Sequence, residues 1–129
     1  RNIPDDLVRE CAQTGGVVGV NGIGLFLGPA DEDQAELVAT HIDHMVQLVG
    51  PRHIGLGLDY VFDTGELKTH LAKMRSTFPS EFGYDTDISM LAPEGVPDVV
   101  ASLLRRGYPE SDIRAILGGN FLRIAREVW

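Results

Sequence analysis

Cysteine is nearly absent from this sequence. Cys11 stands alone, so no disulfide can form within the chain and no cysteine cluster can hold zinc or an iron–sulfur centre. It falls between Val8 and Ala12 on an expected helix face and reads as a small core residue. Basic residues are also short: eleven Lys and Arg face nineteen Asp and Glu, a formal net charge of -8, and no basic block exceeds Arg105-Arg106. That argues against a nucleic-acid partner and against an anionic membrane surface. No apolar stretch approaches the roughly 18–20 residues needed to span a bilayer, and no signal peptide opens the chain. The chain starts at Arg1 without a methionine and runs straight into Asn-Ile-Pro-Asp-Asp, which reads as the interior of a longer protein. Localisation therefore stays open, with a cytoplasmic setting as the default expectation.

What is present suffices for a core, since 43% of the 129 residues are hydrophobic, and the length suits one domain. The spacing predicts a helix over 3–14, with Pro4 in its first position, Asp5 and Asp6 in the first turn, and Gly15-Gly16 ending it. Residues 17–21 read as a short apolar strand. The loop over 22–29 carries Ile23, Leu25, Phe26 and Leu27, and is expected to fold over a site or a partner. A second helix is expected over 31–49, where Val38, Ile42, Met45 and Val49 share one side. The next strand, His53 to Asp59, has glycines at 55 and 57 and delivers a carboxylate at its end. Strand, helix and strand with short joints make a βαβ unit with parallel strands.

Beyond Asp63 a helix is predicted over 66–76. A long ordered loop over 77–97 follows, with Phe78, Phe82, Tyr84 and Met90 packing on something. Residues 97–106 read as a helix with Val99, Val100, Leu103 and Leu104 inward. Another starts at Pro109 and is interrupted by Gly118-Gly119, after which Asn120 is placed as the N-cap of a last helix.

Ligands in α/β folds sit at the carboxyl ends of strands, which is where Asp59 falls. A strand-end aspartate also serves as a turn former or helix cap, and position alone leaves both roles open. His41 and His44 lack the glutamate of the His-Glu-x-x-His pattern, and His41 borders the apolar stripe, so it reads as a hydrogen-bonded, half-buried histidine. His53 opens its strand at the amino end, and His70 belongs on a surface helix. Gly55-x-Gly57 is no dinucleotide fingerprint: the third glycine is missing and the pair lies inside the strand.

Three stretches in order carry a resemblance. Arg1-Asn-Ile-Pro-Asp-Asp6 with Gly15-Gly-Val-Val-Gly-Val-Asn21 resembles the seventh-strand region of the membrane (renal) dipeptidases, the M19 zinc metallopeptidases. His41-Ile-Asp-His44 and His53-Ile-Gly-Leu-Gly-Leu-Asp59 resemble that family's eighth strand and the helix before it. Leu103-Leu-Arg-Arg-Gly-Tyr and Ile116-Leu-Gly-Gly-Asn-Phe-Leu-Arg-Ile124 are similar to its C-terminal helices. The resemblance covers essentially the whole chain.

It implies the C-terminal portion of a (β/α)8 TIM-type barrel: about two β/α units plus C-terminal helices, in a single metallo-dependent hydrolase domain over 1–129. The implied activity is hydrolysis of the peptide bond of dipeptides by a binuclear zinc enzyme. The family's zinc ligands are a His-x-Asp pair, a bridging glutamate and two later histidines. All would lie upstream of Arg1, so this chain is expected to supply no metal ligand and to be inactive alone. By resemblance Arg1 binds the substrate carboxylate, a task suited to a planar cationic fork, and Asp59 holds the substrate amine or moves a proton to the leaving amine. Many relatives continue the strand as Asp-Phe-Asp-Gly, whereas here Tyr60-Val61-Phe62-Asp63 follows, so the pocket mouth is expected to differ. The rival expectation is a non-catalytic α/β module whose apolar loops bind a partner. Isolated, a two-strand piece is expected to expose sheet edges and to associate as a homo-oligomer or require the rest of its barrel.

Overall fold

The computed structural model describes residues 2–84 and 88–129. Helix α1, Asp5–Gln13, starts after Pro4, whose extended backbone puts it at the cap and not inside the first turn, one residue from its expected place. Strand β1, Val18–Val20, leads into a short helix α2, Gly24–Leu27, within the apolar loop. Helix α3, Gln34–Val49, begins three residues later than expected because the Asp33 carboxylate accepts the Glu36 N–H and fixes the cap there. Strand β2, Ile54–Leu56, pairs parallel to β1 in the register Val18–Ile54, Gly19–Gly55 and Val20–Leu56, which completes the expected βαβ unit. Both strands are shorter than the apolar runs that announced them.

Helix α4, Thr64–Lys73, instead starts two residues early, because Asp63 accepts the Glu66 N–H at 2.8 Å. Beyond it the long excursion contains one-turn helices at Ser80–Phe82 and Pro93–Gly95. It packs on the α2 loop: Tyr84 stacks edge-on with Phe78 and Phe26 at 5.2 and 6.5 Å, and Ile23 bridges antiparallel to Met90. Phe82 is 57% exposed. The two apolar loops thus cover each other.

Helix α5, Val96–Arg105, buries Val99, Ser102 and Leu103, while Leu104 faces outward because it falls beyond the edge of the buried face. Helix α6, Glu110–Arg114, runs through a π-helical segment, Ala115–Gly119, into helix α7, Asn120–Val128. Gly118 leaves helical dihedrals, yet Asn120 itself is helical and caps nothing, contrary to the sequence expectation. The core gathers Val38, Ile42 and Met45 of α3 with Ile54, Val99, Leu103 and Ile116. Cys11 is half-buried, its sulfur lying over Gly16.

A polar clamp closes α3 on α5. The buried Ser102 hydroxyl donates to Glu36 at 2.8 Å, Arg105 pairs with the same carboxylate, and Arg106 reaches both Glu36 and Thr40. The Ser102 hydroxyl, then Arg105, hold the Glu36 carboxyl below its ordinary value. Tyr108 donates to Asp43 at 2.7 Å, and burial together with that carboxylate pushes its phenol well above the usual range.

Candidate functional site

The carboxyl ends of β1 and β2 are held by main-chain bonds. Gly57 N–H donates to Val20 at 2.9 Å, and Gly22 N–H donates to the Leu58 carbonyl at 2.9 Å. The Gly22 carbonyl in turn accepts from Leu91 N–H at 2.8 Å. A Cβ at Gly22 would stand 3.1 Å from both Leu58 O and Leu91 Cβ, so the close approach depends on glycine. Directly after this knot the chain turns at Asp59 with φ of 55°, the one non-glycine residue with positive φ among those described. That conformation costs on the order of 1 kcal/mol or more for a residue with a Cβ, and aspartate is among the few that tolerate it. The Asp59 side chain is exposed at the rim.

Tyr60 and Phe62 follow, their rings edge to face at 5.0 Å. Asp63 then caps α4, so the rim segment is fastened at both ends.

The amino end is arranged otherwise. The Asn120 amide donates to the Pro51 and Ile54 carbonyls, both at 2.7 Å. Arg123 donates to the Gly15 and Arg52 carbonyls, and His53 Nδ1 donates to Gly16 O at 2.9 Å. Phe121 lies against the Gly19–Gly55 pair. A Cβ at Gly55 would come within 2.3 Å of its ring, so the room made by that glycine is filled by this chain's own helix.

Among the described residues no three His, Cys, Asp or Glu side chains converge on a point that could hold a metal ion. His41 Nε2 donates to the Leu27 carbonyl at 2.8 Å, as a half-buried structural histidine should, and His44 donates to Asp5 at 2.9 Å. His70 is exposed on α4. The side chains described here therefore do not fit zinc. Arg1 lies outside the described residues. Its neighbour Asn2 donates to the Phe26 carbonyl at 2.9 Å, fastening the entry of the chain beside α2. A cavity of about 340 Å³ opens against β1, lined by Val8, Val18, Val20, Asn21, His41 and Met45. Among the described residues no helix is long and apolar enough to cross a membrane.

Comparison with known proteins decides the family. Residues 1–129 match the family described as membrane dipeptidase, peptidase family M19. This chain belongs to that family. A dipeptidase of Aspergillus oryzae, aclJ, is 32% identical over 130 residues, covering 99% of this chain and 26% of its own length. An uncharacterized protein from the pqqA 5′ region of Klebsiella pneumoniae is 32% identical over 133 residues, covering all of this chain and 41% of its own. The crystal structure of an amidohydrolase from Pseudomonas aeruginosa superposes with a TM-score of 0.76 at 26% identity, over 99% of this chain and 41% of that one. The M19 chain described here thus spans between a quarter and about two-fifths of the curated relatives it matches.

Three features of this M19 chain escape a reading by residue type. Asn120 has the composition of a cap and works as a clasp across to β2, which only its partners disclose. Gly22 looks like any loop glycine until its two backbone bonds are seen. The Tyr60–Phe62 pair stands in sequence as a departure at the pocket mouth, and its edge-to-face packing is visible only in three dimensions.

Proposed function

We propose that this chain is the C-terminal part of a (β/α)8-barrel dipeptidase, a hydrolase of the peptide bond in dipeptides, and that it supplies the substrate-gripping side of the site. Family membership and a dipeptidase relative support the reaction class. The parallel β1–β2 pair, and a solved amidohydrolase of which the chain covers 41%, support the barrel fragment. The binuclear zinc of the family is assigned in this reading to side chains outside the chain.

One observation carries the role of Asp59: a non-glycine residue held at positive φ three residues past the end of β2, its carboxylate turned out at the rim. Strain of this kind persists where surrounding structure over-determines it, and such places cluster at functional sites. There the carboxylate can accept N–H from the substrate's ammonium group, or carry a proton to the leaving amine. Arg1 is proposed to bind the substrate's free carboxylate as a bidentate fork. Gripping both termini limits the substrate to two residues.

Asp59→Asn in the intact enzyme tests the assignment. The amide tolerates the same backbone conformation, so zinc content and thermal midpoint should stay put while kcat/KM on a dipeptide panel falls at least about 100-fold. Hydrolysis at the unmutated rate would sink the role.

A further inference from the structure

We propose that Tyr60 and Phe62 form the wall that receives the side chain of the substrate's N-terminal residue, selecting dipeptides whose first residue is aromatic or bulky aliphatic. The inference rests on the dipeptidase reading and on Asp59 as the group that meets the substrate amine. In an amino acid the amine and the side chain leave the same carbon. Whatever surface receives that side chain must therefore adjoin the group that holds the amine, and Tyr60 and Phe62 follow Asp59 by one and three residues.

The pair is built to stay in place. Its rings meet edge to face at 5.0 Å and 89°. The segment is fastened before it by the Gly22 bond to Leu58 O and after it by the Asp63 cap on α4. Little ordering is then left to be done on binding. Phe62 is 84% exposed, an uncommon setting for a phenylalanine, and the half-buried Tyr60 backs it. An apolar ring face offers contact area to another ring or a branched chain and nothing to an anion. Asp59 and Asp63 flank it, so an acidic first residue is repelled as well.

The test is steady-state kinetics of the intact enzyme on Phe-Gly, Leu-Gly, Gly-Gly and Gly-Phe, with Phe62→Ala and Phe62→Leu as variants. Loss of the ring should lower kcat/KM for Phe-Gly and Leu-Gly by about tenfold while Gly-Gly and Gly-Phe stay within about twofold. Phe62→Leu should recover most of the Leu-Gly rate. The thermal midpoint of each variant is followed alongside, and a selective loss across the four substrates, which general destabilisation would not give, carries the test. An equal fall on all four substrates, or none, overturns the wall and leaves the dipeptidase reading standing. A parent enzyme that hydrolyses no dipeptide overturns that reading, and the wall with it.

Discussion

At the amino end of the β1–β2 pair, side chains are consumed in holding backbone: Asn120, Arg123 and His53 between them bond five main-chain carbonyls. At the carboxyl end the backbone holds itself through Gly22, and Asp59 and Phe62 are left facing outward. A side chain that satisfies a buried carbonyl cannot also engage a substrate. Dividing the work between the two ends lets one be rigid at no cost to the chemistry of the other, as parallel α/β sheets commonly do. The lesson is that polar residues here should be weighed by what they bond, since Asn120 and Asp59 look equally functional as residue types.

That division can be broken by mutation. The largest effect on stability is expected from Asn120→Ala, which strips two bonds from the Pro51 and Ile54 carbonyls at the amino end. A loss of about 2–4 kcal/mol in urea unfolding is expected, with kcat/KM per folded molecule little changed. A collapse of activity at preserved stability would erase the distinction between the ends.

Next comes Asp59→Gly, where the opposite pattern is expected. Glycine relieves the positive φ, so the folded state should gain on the order of 1 kcal/mol, partly offset by the greater freedom of the unfolded chain, while hydrolysis is lost. Stability and activity moving down together would mean that Asp59 is a structural residue.

The smallest effect should come from the clamp behind both ends. Glu36 titrates lower folded than unfolded, so its contribution is present above the ordinary carboxylate value of 4.5 and fades as pH falls through the folded value. Glu36→Gln should flatten the fall in thermal midpoint below that pH and leave the pH dependence of turnover at neutral pH untouched. An altered neutral profile would tie α3 to the chemistry.

Much of the fold was legible in residue order. Gly15-Gly16, Gly50-Pro51 and Gly107 end helices as expected, and the apolar periodicity of residues 38–49 marks the face of α3 that enters the core. Boundaries moved where a carboxylate chose the cap, at Asp33 and Asp63, because several acidic residues competed and only geometry selects one. The proposed site has one residue that the sequence singles out. Asp59 stands out by its place at the end of a strand, while its strained backbone leaves no mark in composition. The nearby wall stayed hidden because two aromatic residues in a row of four say nothing about their mutual angle.

Gly22 has a consequence beyond holding the rim. Its N–H and its carbonyl tie Leu58 and Leu91, which lie on either side of Asp59 and α4, to a single residue. One residue thereby sets how far apart the two ends of the intervening span lie. Closing a longer or shorter loop on the same anchor changes its entropy only logarithmically, roughly 0.6 kcal/mol for each doubling of length. A graft that keeps Gly22, Leu58, Asp59 and Leu91 would bring a different pocket mouth to the same two strands.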